Sequence, residues 1–304
     1  VEATARGGVW RSRAGGALHR DSAPPAPAGQ LRLRQVARRE FDHGAAIADR
    51  PGQRAHLREY LSDLVRPYGT PLREEALARG EGHSYGEMAA ALISATVSPR
   101  EPVDLVALAF SVPDVRPGRA TATYLSEICP GRPFAFAVTD QGAAAAFTAL
   151  RLVGEYGRGG GCRRALLLVL EQATRLYDVP EDARTPVRHA GVALLCDGSG
   201  PARVAEVRHH TRVAPERAGH RLAAELTTLA ASHGAATVIA GGGLTTDAVH
   251  ATEATGVAAG MRRAPADQPM TGVWSELADD LPTPALVADY DPVRGSLCLA
   301  AITP

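Results

Sequence analysis

The sequence predicts an α/β protein of two units stacked face to face. Strongly apolar runs of strand length alternate with segments of helical spacing along most of the chain. One run, residues 134–138, breaks at Asp140-Gln141-Gly142 and enters an Ala-rich helical segment, which is a strand feeding a helix through a tight elbow. The pattern then returns in shorter form over residues 218–304.

Each element has its own warrant. Residues 1–30 are rich in Gly, Arg, Ala and Pro, and Ala23-Pro24-Pro25-Ala26-Pro27 reads as extended loop. A strand is expected near 31–36 and a helix over 56–65. Residues 87–95 form a helix with an apolar stripe at Met88, Ala91, Leu92 and Ala95. The continuous apolar run 103–110, after Glu101-Pro102, has the character of a buried parallel strand. Pro113-Asp114 and Pro117-Gly118 punctuate a loop before a short helix at 120–128. The elbow helix covers 143–156, and 157–161 is a glycine turn that lacks the Lys and strand-to-helix setting of a phosphate loop. Residues 164–170 form a strand ending in Glu171. A loop over 177–188 precedes a strand at 190–196. Asp197-Gly198-Ser199-Gly200 then predicts a hairpin whose returning strand is 202–207. Beyond it come a helix at 221–232, a strand at 236–240, glycines at 241–243, a helix near 274–281 and a closing hairpin of 285–289 with 296–302. The expected division is an N-terminal half over 1–207 and a shortened C-terminal half over 208–304.

Composition narrows the function. Hydrophobic residues at 45% and charged residues at 22% are ordinary for a globular protein. The 33 basic and 33 acidic residues balance, which gives no field for nucleic acid or an acidic membrane. The chain has no Lys and no Asn, for which biased base composition is the plain cause. The chemical consequence stands regardless: a Lys Schiff base and an Asn hydrogen-bond donor are both excluded. Cys129, Cys162, Cys196 and Cys298 form no Cys-x-x-Cys pair, which argues against a zinc site or disulfide framework and for a reducing compartment. No apolar run nears the ~20 residues of a membrane span. The opening Val1-Glu2-Ala3-Thr4-Ala5-Arg6 lacks a signal-peptide pattern, so a cytoplasmic location is expected.

Enzymes mount nucleophiles on strand–helix elbows because the helix N-terminus stabilises negative charge there. Residues 140–147 contain no Ser, Cys or Thr. Asp140 is the available carboxylate, favoured as the anion by the helix end.

In order and spacing the chain resembles the thiolase-like superfamily, and within it the ketoacyl-synthase III branch, over about 82–207 and more weakly to the end. The resemblance rests on Val103-Asp104-Leu105-Val106-Ala107-Leu108 followed by Val112-Pro113-Asp114, and on Ala135-Phe136-Ala137-Val138 before the elbow. It rests also on Ala165-Leu166-Leu167-Leu168-Val169-Leu170-Glu171, and on Ala190-Gly191-Val192-Ala193-Leu194-Leu195 with Asp197-Gly198. It implies two stacked halves, each with a mixed five-stranded sheet. It also implies a Cys-His-Asn catalytic set, none of which is present. The Cys position falls at Gln141, Gly142 or Ala143, the His position at Gly241, and the Asn region at 267–271 beginning with Asp267. The family's glycine-rich loop in the last hairpin is replaced by Asp289-Tyr290-Asp291-Pro292.

The expected function is therefore a degenerate, non-catalytic subunit, similar to a chain-length factor. It would support an active homologous ketosynthase in polyketide or fatty-acid-like biosynthesis. The alternative is an acyltransferase or malonyl-thioester decarboxylase using other residues, and a non-enzymatic binder of an acyl thioester is a third reading. Gln141 reads as a polar plug, a catalytic group or an ordinary elbow residue. Expected partners are the homologous subunit or a second copy, joined through the strand at 134–138, with acyl carrier protein or acyl-CoA as a further possibility. No metal and no cofactor is implied. His83, His189, His209 and His210 read as surface or satisfied residues, since adjacent strand residues such as His209 and His210 face opposite ways. Arg38-Arg39 and Arg163-Arg164 could meet an acidic carrier or a CoA phosphate, although such pairs are common among 33 Arg.

Overall fold

A computed structural model describes residues 30–42, 51–80, 82–179, 183–234 and 236–304. The Pro-rich run at 23–27 lies outside them. Ten strands are ordered β3-β2-β4-β5-β1-β6-β10-β9-β7-β8. In chain order they are β1 (Arg32–Phe41), β2 (Leu105–Ala109), β3 (Phe134–Val138), β4 (Arg164–Glu171), β5 (His189–Asp197), β6 (Ala202–His210), β7 (Ala236–Ala240), β8 (Ala258–Arg263), β9 (Ala285–Asp291) and β10 (Ser296–Thr303). The second five strands reproduce the neighbour relations of the first five, with parallel β2/β3 and β2/β4 matched by parallel β7/β8 and β7/β9. Among the described residues the two sets are hydrogen-bonded as neighbouring strands only where Arg32 pairs with Arg203 and Leu33 with Ala202.

Helices layer these sheets. The helices are α1 (Pro51–Val65), α2 (Glu74–Arg79), α3 (Tyr85–Thr96), α4 (Thr121–Ile128), α5 (Ala144–Arg158), α6 (Pro215–His233), α7 (Thr246–Glu253) and the single turn α8 (Gly272–Ser275). Leu105, Ala107 and Ala109 of β2 share a core with α5, Trp274 of α8, and Ala285 and Val287 of β9. Val106 and Leu108 face the other way, onto Met88 and Leu92 of α3 and Leu125 of α4. Leu286 and Ala288 of β9 likewise face Leu222 and Leu226 of α6. The period-two alternation of each strand thus feeds two different cores, which explains why β2, β4, residues 285–288 of β9 and residues 297–302 of β10 read as apolar runs. The result is helix, sheet, helix, sheet, helix, with α5 in the middle layer.

Local signals account for several element ends. Ser84 caps α3 in a reciprocal capping box with Glu87, the Ser84 hydroxyl accepting from the Glu87 N–H at 3.2 Å. Pro215 opens α6 where a missing N–H costs nothing.

The expected hairpin of the strand at 190–196 with 202–207 does not form. β5 is flanked by β4 and β1, and β6 by β1 and β10. The turn itself is as its residues dictate, with Asp197 Oδ1 accepting from the Ser199 N–H and hydroxyl at 2.8 Å. However, β1 enters between the two strands, its Arg32 donating to the carbonyl of Pro201 at 2.8 Å. Turn chemistry is local, and nothing in it reports a strand arriving from far earlier in the chain. β6 itself runs continuously through residues 207 and 208. The closing hairpin forms as expected, β9 pairing antiparallel with β10. The helix expected near 274–281 is confined to α8.

Candidate functional site

The elbow is built from β3, two left-handed residues and α5. Asp140 has φ 62° and Gly142 φ 54°, the first tolerable for Asp and the second natural for Gly. Together they turn the chain so that Ala144 and Ala145 donate their N–H groups to the carbonyls of Gln141 and Gly142 at 3.1 Å. Asp140 is exposed. Gln141 folds along the helix, its Oε1 accepting from the Thr148 hydroxyl at 2.7 Å. Gly142 and Ala143 line a cavity of about 480 Å3, while Asp140 and Gln141 do not.

The cavity is walled mostly by apolar side chains, including Tyr85, Val112 and Met270, with Glu171, Gln172, Arg184 and Asp291 as its principal polar groups. Asp291 packs against Gly142, where an added β-carbon would collide with its carboxylate. Its oxygens accept from the Arg294 backbone N–H at 3.1 Å and from the Arg294 guanidinium at 3.3 Å. Two residues back, Asp289 is buried and packs against Gly241 in the same manner. Asp289 accepts from the N–H groups of Tyr290 at 2.8 Å and Gly243 at 3.3 Å, and pairs with Arg184 at 3.3 Å. Burial pushes its carboxyl above the usual range, against the pull of Arg184 and the two N–H donors.

Glu171 ends β4 inside the protein. Its oxygens accept from the N–H groups of Met270 at 2.9 Å and Thr271 at 3.1 Å, and from the Thr271 hydroxyl. Burial nevertheless raises its carboxyl to about 7, so desolvation outweighs the donors. The four cysteines are buried and outside the cavity. Burial pushes Cys129, Cys196 and Cys298 up to about 12 and Cys162 to about 11. No cluster of His, Cys, Asp and Glu able to hold a metal occurs among the described residues.

No family model and no curated sequence matches the chain. Solved structures do. AbyA1, a tetronic acid condensing enzyme, aligns over 90% of this chain and 100% of its own at 16% identity, with a TM-score of 0.60. ChlB3, described as an acyltransferase, aligns over 90% and 97% at 15% identity, with a TM-score of 0.57. The 3-oxoacyl-(acyl carrier protein) synthase III, FabH, of Pseudomonas aeruginosa PAO1 aligns over 90% and 100% at 13% identity, with a TM-score of 0.54. The fold is thiolase-like, of the ketosynthase III type.

Within this thiolase-like frame the expected site residues separate. Gly142 and Ala143 face the cavity, while Gln141 does not line it and hydrogen-bonds to Thr148 of α5 instead. The space beside Gly241 is taken by Asp289. Asp267 lies away from the cavity, its carboxylate 3.1 Å from Arg188, and Pro269 and Met270 line the wall instead. A chain with no Asn gave no anchor for that region's register. Glu171 was legible as a strand end, whereas Gln172 and Arg184 carried no signal of their own. The Arg pairs are engaged elsewhere: Arg164 meets Glu101 at 3.3 Å and Arg38 meets Asp279 at 2.7 Å. His209 meets the Ser296 hydroxyl at 2.5 Å and His210 meets Glu225 at 3.2 Å. Among the described residues no helix is long and apolar enough to cross a membrane.

Proposed function

We propose that this protein is a non-condensing member of its fold, a subunit that supports an active homologous ketosynthase in polyketide or fatty-acid-like biosynthesis. One observation carries the reading: aspartate carboxylates stand against two glycines, Gly142, one of the three positions that the resemblance offers for a nucleophile, and Gly241, the position that it offers for an imidazole. A thioester arriving there meets neither a thiolate nor a neutral base, but two carboxylates already paired with Arg294 and Arg184. The partner would join along β3, an edge strand whose Phe134 is 58% exposed and forms an aromatic group with Phe136 and Tyr156. Unpaired apolar edges are a liability that natural proteins cover. Service beside a carrier protein and such a partner would place it in the cytoplasm.

Incubation with hexanoyl-CoA and intact-mass measurement should show no acyl adduct. An adduct mapped to residues 140–147, or to any cavity side chain, would overturn the reading.

A second reading is an acyltransferase or malonyl-thioester decarboxylase. Glu171 favours it, because a buried carboxyl titrating at about 7 beside a cavity suits general acid–base work. Decarboxylation of malonyl-CoA by the protein alone, lost in Glu171→Gln, would establish it. No turnover by the wild-type protein would exclude it.

A further inference from the structure

Among the described residues β3 ends the ten-stranded order, and one side of its backbone is spent on β2. The Phe134 N–H donates to the Asp104 carbonyl at 3.0 Å, and the Val138 carbonyl accepts from the Phe110 N–H at 3.3 Å. Alternate residues of a strand serve opposite neighbours, so Phe134, Phe136 and Val138 are committed to β2. The N–H and C=O groups of Ala135 and Ala137 therefore point to the open edge. Such an edge is a template for another strand.

The charges at its two ends select the strand that fits. Arg132 stands just before β3 and Asp140 just after it, and both are exposed. An antiparallel copy related by a two-fold axis can be centred on Ala135, Phe136 or Ala137. Centring on Ala135 sets Arg132 against Val138 of the other copy, and centring on Ala137 sets Phe134 against Asp140. With Phe136 on the axis, Ala135 and Ala137 exchange their edge hydrogen bonds and Phe134 meets Val138. Arg132 of each copy then meets Asp140 of the other, so the edge is complementary to itself. Arg132 already lies 3.3 Å from Glu127, but both side chains are largely exposed, and such surface pairs hold little.

We propose that a second copy of this chain seats on β3 in the register centred on Phe136, and that Arg132 and Asp140 are the residues that fix this register. The proposal rests on the reading of β3 as the joining edge. A homologous ketosynthase taking that edge would displace the copy.

Sedimentation of the full chain should show a dimer that weakens as salt is added. Arg132→Asp sets like charges against each other at both ends of the paired strands, and so does Asp140→Arg. Each should weaken dimerisation on the order of tenfold. Mixed together, the two variants again oppose acid to base at both ends and should recover wild-type association. The chain carrying both changes should recover it alone, and its unchanged net charge separates register from general charge attraction. Phe136→Cys is an independent probe. On the axis its thiol faces its own copy within disulfide reach, so oxidation should link the dimer. Phe134→Cys, displaced from the axis, should not link, and the native cysteines are buried. A monomeric wild-type chain, no recovery in the double variant, or linkage through Phe134→Cys in place of Phe136→Cys would overturn the proposal. If a cysteine variant does not fold, the charge series decides alone. A monomeric chain removes this dimer but leaves the non-condensing reading standing, because that reading fails on an acyl adduct after hexanoyl-CoA treatment.

Discussion

Asp291 holds its carboxylate against the α-carbon of Gly142, and Arg294 fixes it there through a 3.3 Å ion pair. The elbow is thereby specified by a residue nearly half the chain away. It accepts no side chain at 142 without moving that carboxylate.

Gly142→Ala is expected to destabilise the fold by roughly 1–3 kcal/mol through overpacking, with a further contribution of about 1 kcal/mol from the left-handed backbone. Asp291→Gly in the same chain should recover the overpacking part. Urea denaturation of the two single variants and the double variant measures the coupling, and strictly additive effects would refute the contact.

Gln141→Ala should cost about 1 kcal/mol, the net worth of the Thr148 hydroxyl bond to Oε1. Thr148→Val should cost a similar amount, and the double variant no more than either alone. A loss several times larger would mean that Gln141 has partners beyond α5.

Glu171 gives stability a pH dependence with a definite sign. Its carboxyl is raised in the fold from an ordinary value of 4.5 to about 7, so between these values the folded chain binds the extra proton. Stability should therefore fall as pH rises from about 4.5 through about 7, and then level off. Glu171→Gln should flatten this slope. Asp289, also raised, remains in the variant and sets the residual slope. Denaturation series from about pH 5 to pH 8 on both proteins provide the comparison; parallel curves would contradict the assignment.

The cysteines should be inert in the native state. All four are buried and titrate at about 11 or above, and the thiolate is the reactive form. Iodoacetamide near neutral pH should label none until denaturant is added. Rapid native labelling of any one would show that its surroundings open.

Association through β3 is tested by Phe134→Asp. Phe134 is largely exposed in the isolated chain, so the change should leave monomer stability within about 0.5 kcal/mol while abolishing self-association or partner capture in sedimentation. A wild-type protein that stays monomeric at high concentration and binds no homologous ketosynthase would remove the proposed interface.

Much of the fold was legible because its signals are contiguous. β2, β4 and β7 are buried on both faces and so appear as apolar runs, and the turn of β3 into α5 is marked by Asp140 and Gly142. α7 and β8 were not legible. Thr246–Glu253 is mixed in polarity, and Ala258–Arg263 is a half-exposed edge strand that needs no apolar run. In the site, the run Asp289-Tyr290-Asp291-Pro292 already stood out in sequence. Its meaning depended on which glycines those carboxylates reach, a distance relation that spacing does not encode. Arg184 was one arginine among 33 until Asp289 singled it out.

The position of β1 imposes an order on folding. Residues 32–41 find their partners in residues 189–197, so this strand has nothing to pair with until well over half of the chain has been synthesised. Closing so long a loop is slow. Meanwhile β5 and β6, joined by a turn suited to a tight hairpin, can zip to each other in a wrong but local register. β1 must win that seat by displacement or by arriving first. A chain lacking residues 1–42 should therefore trap β5 on β6, and pulse-labelled hydrogen exchange during refolding of the full protein should show β5 protected before β1. Simultaneous protection of the two would mean that the long loop closes before the hairpin forms.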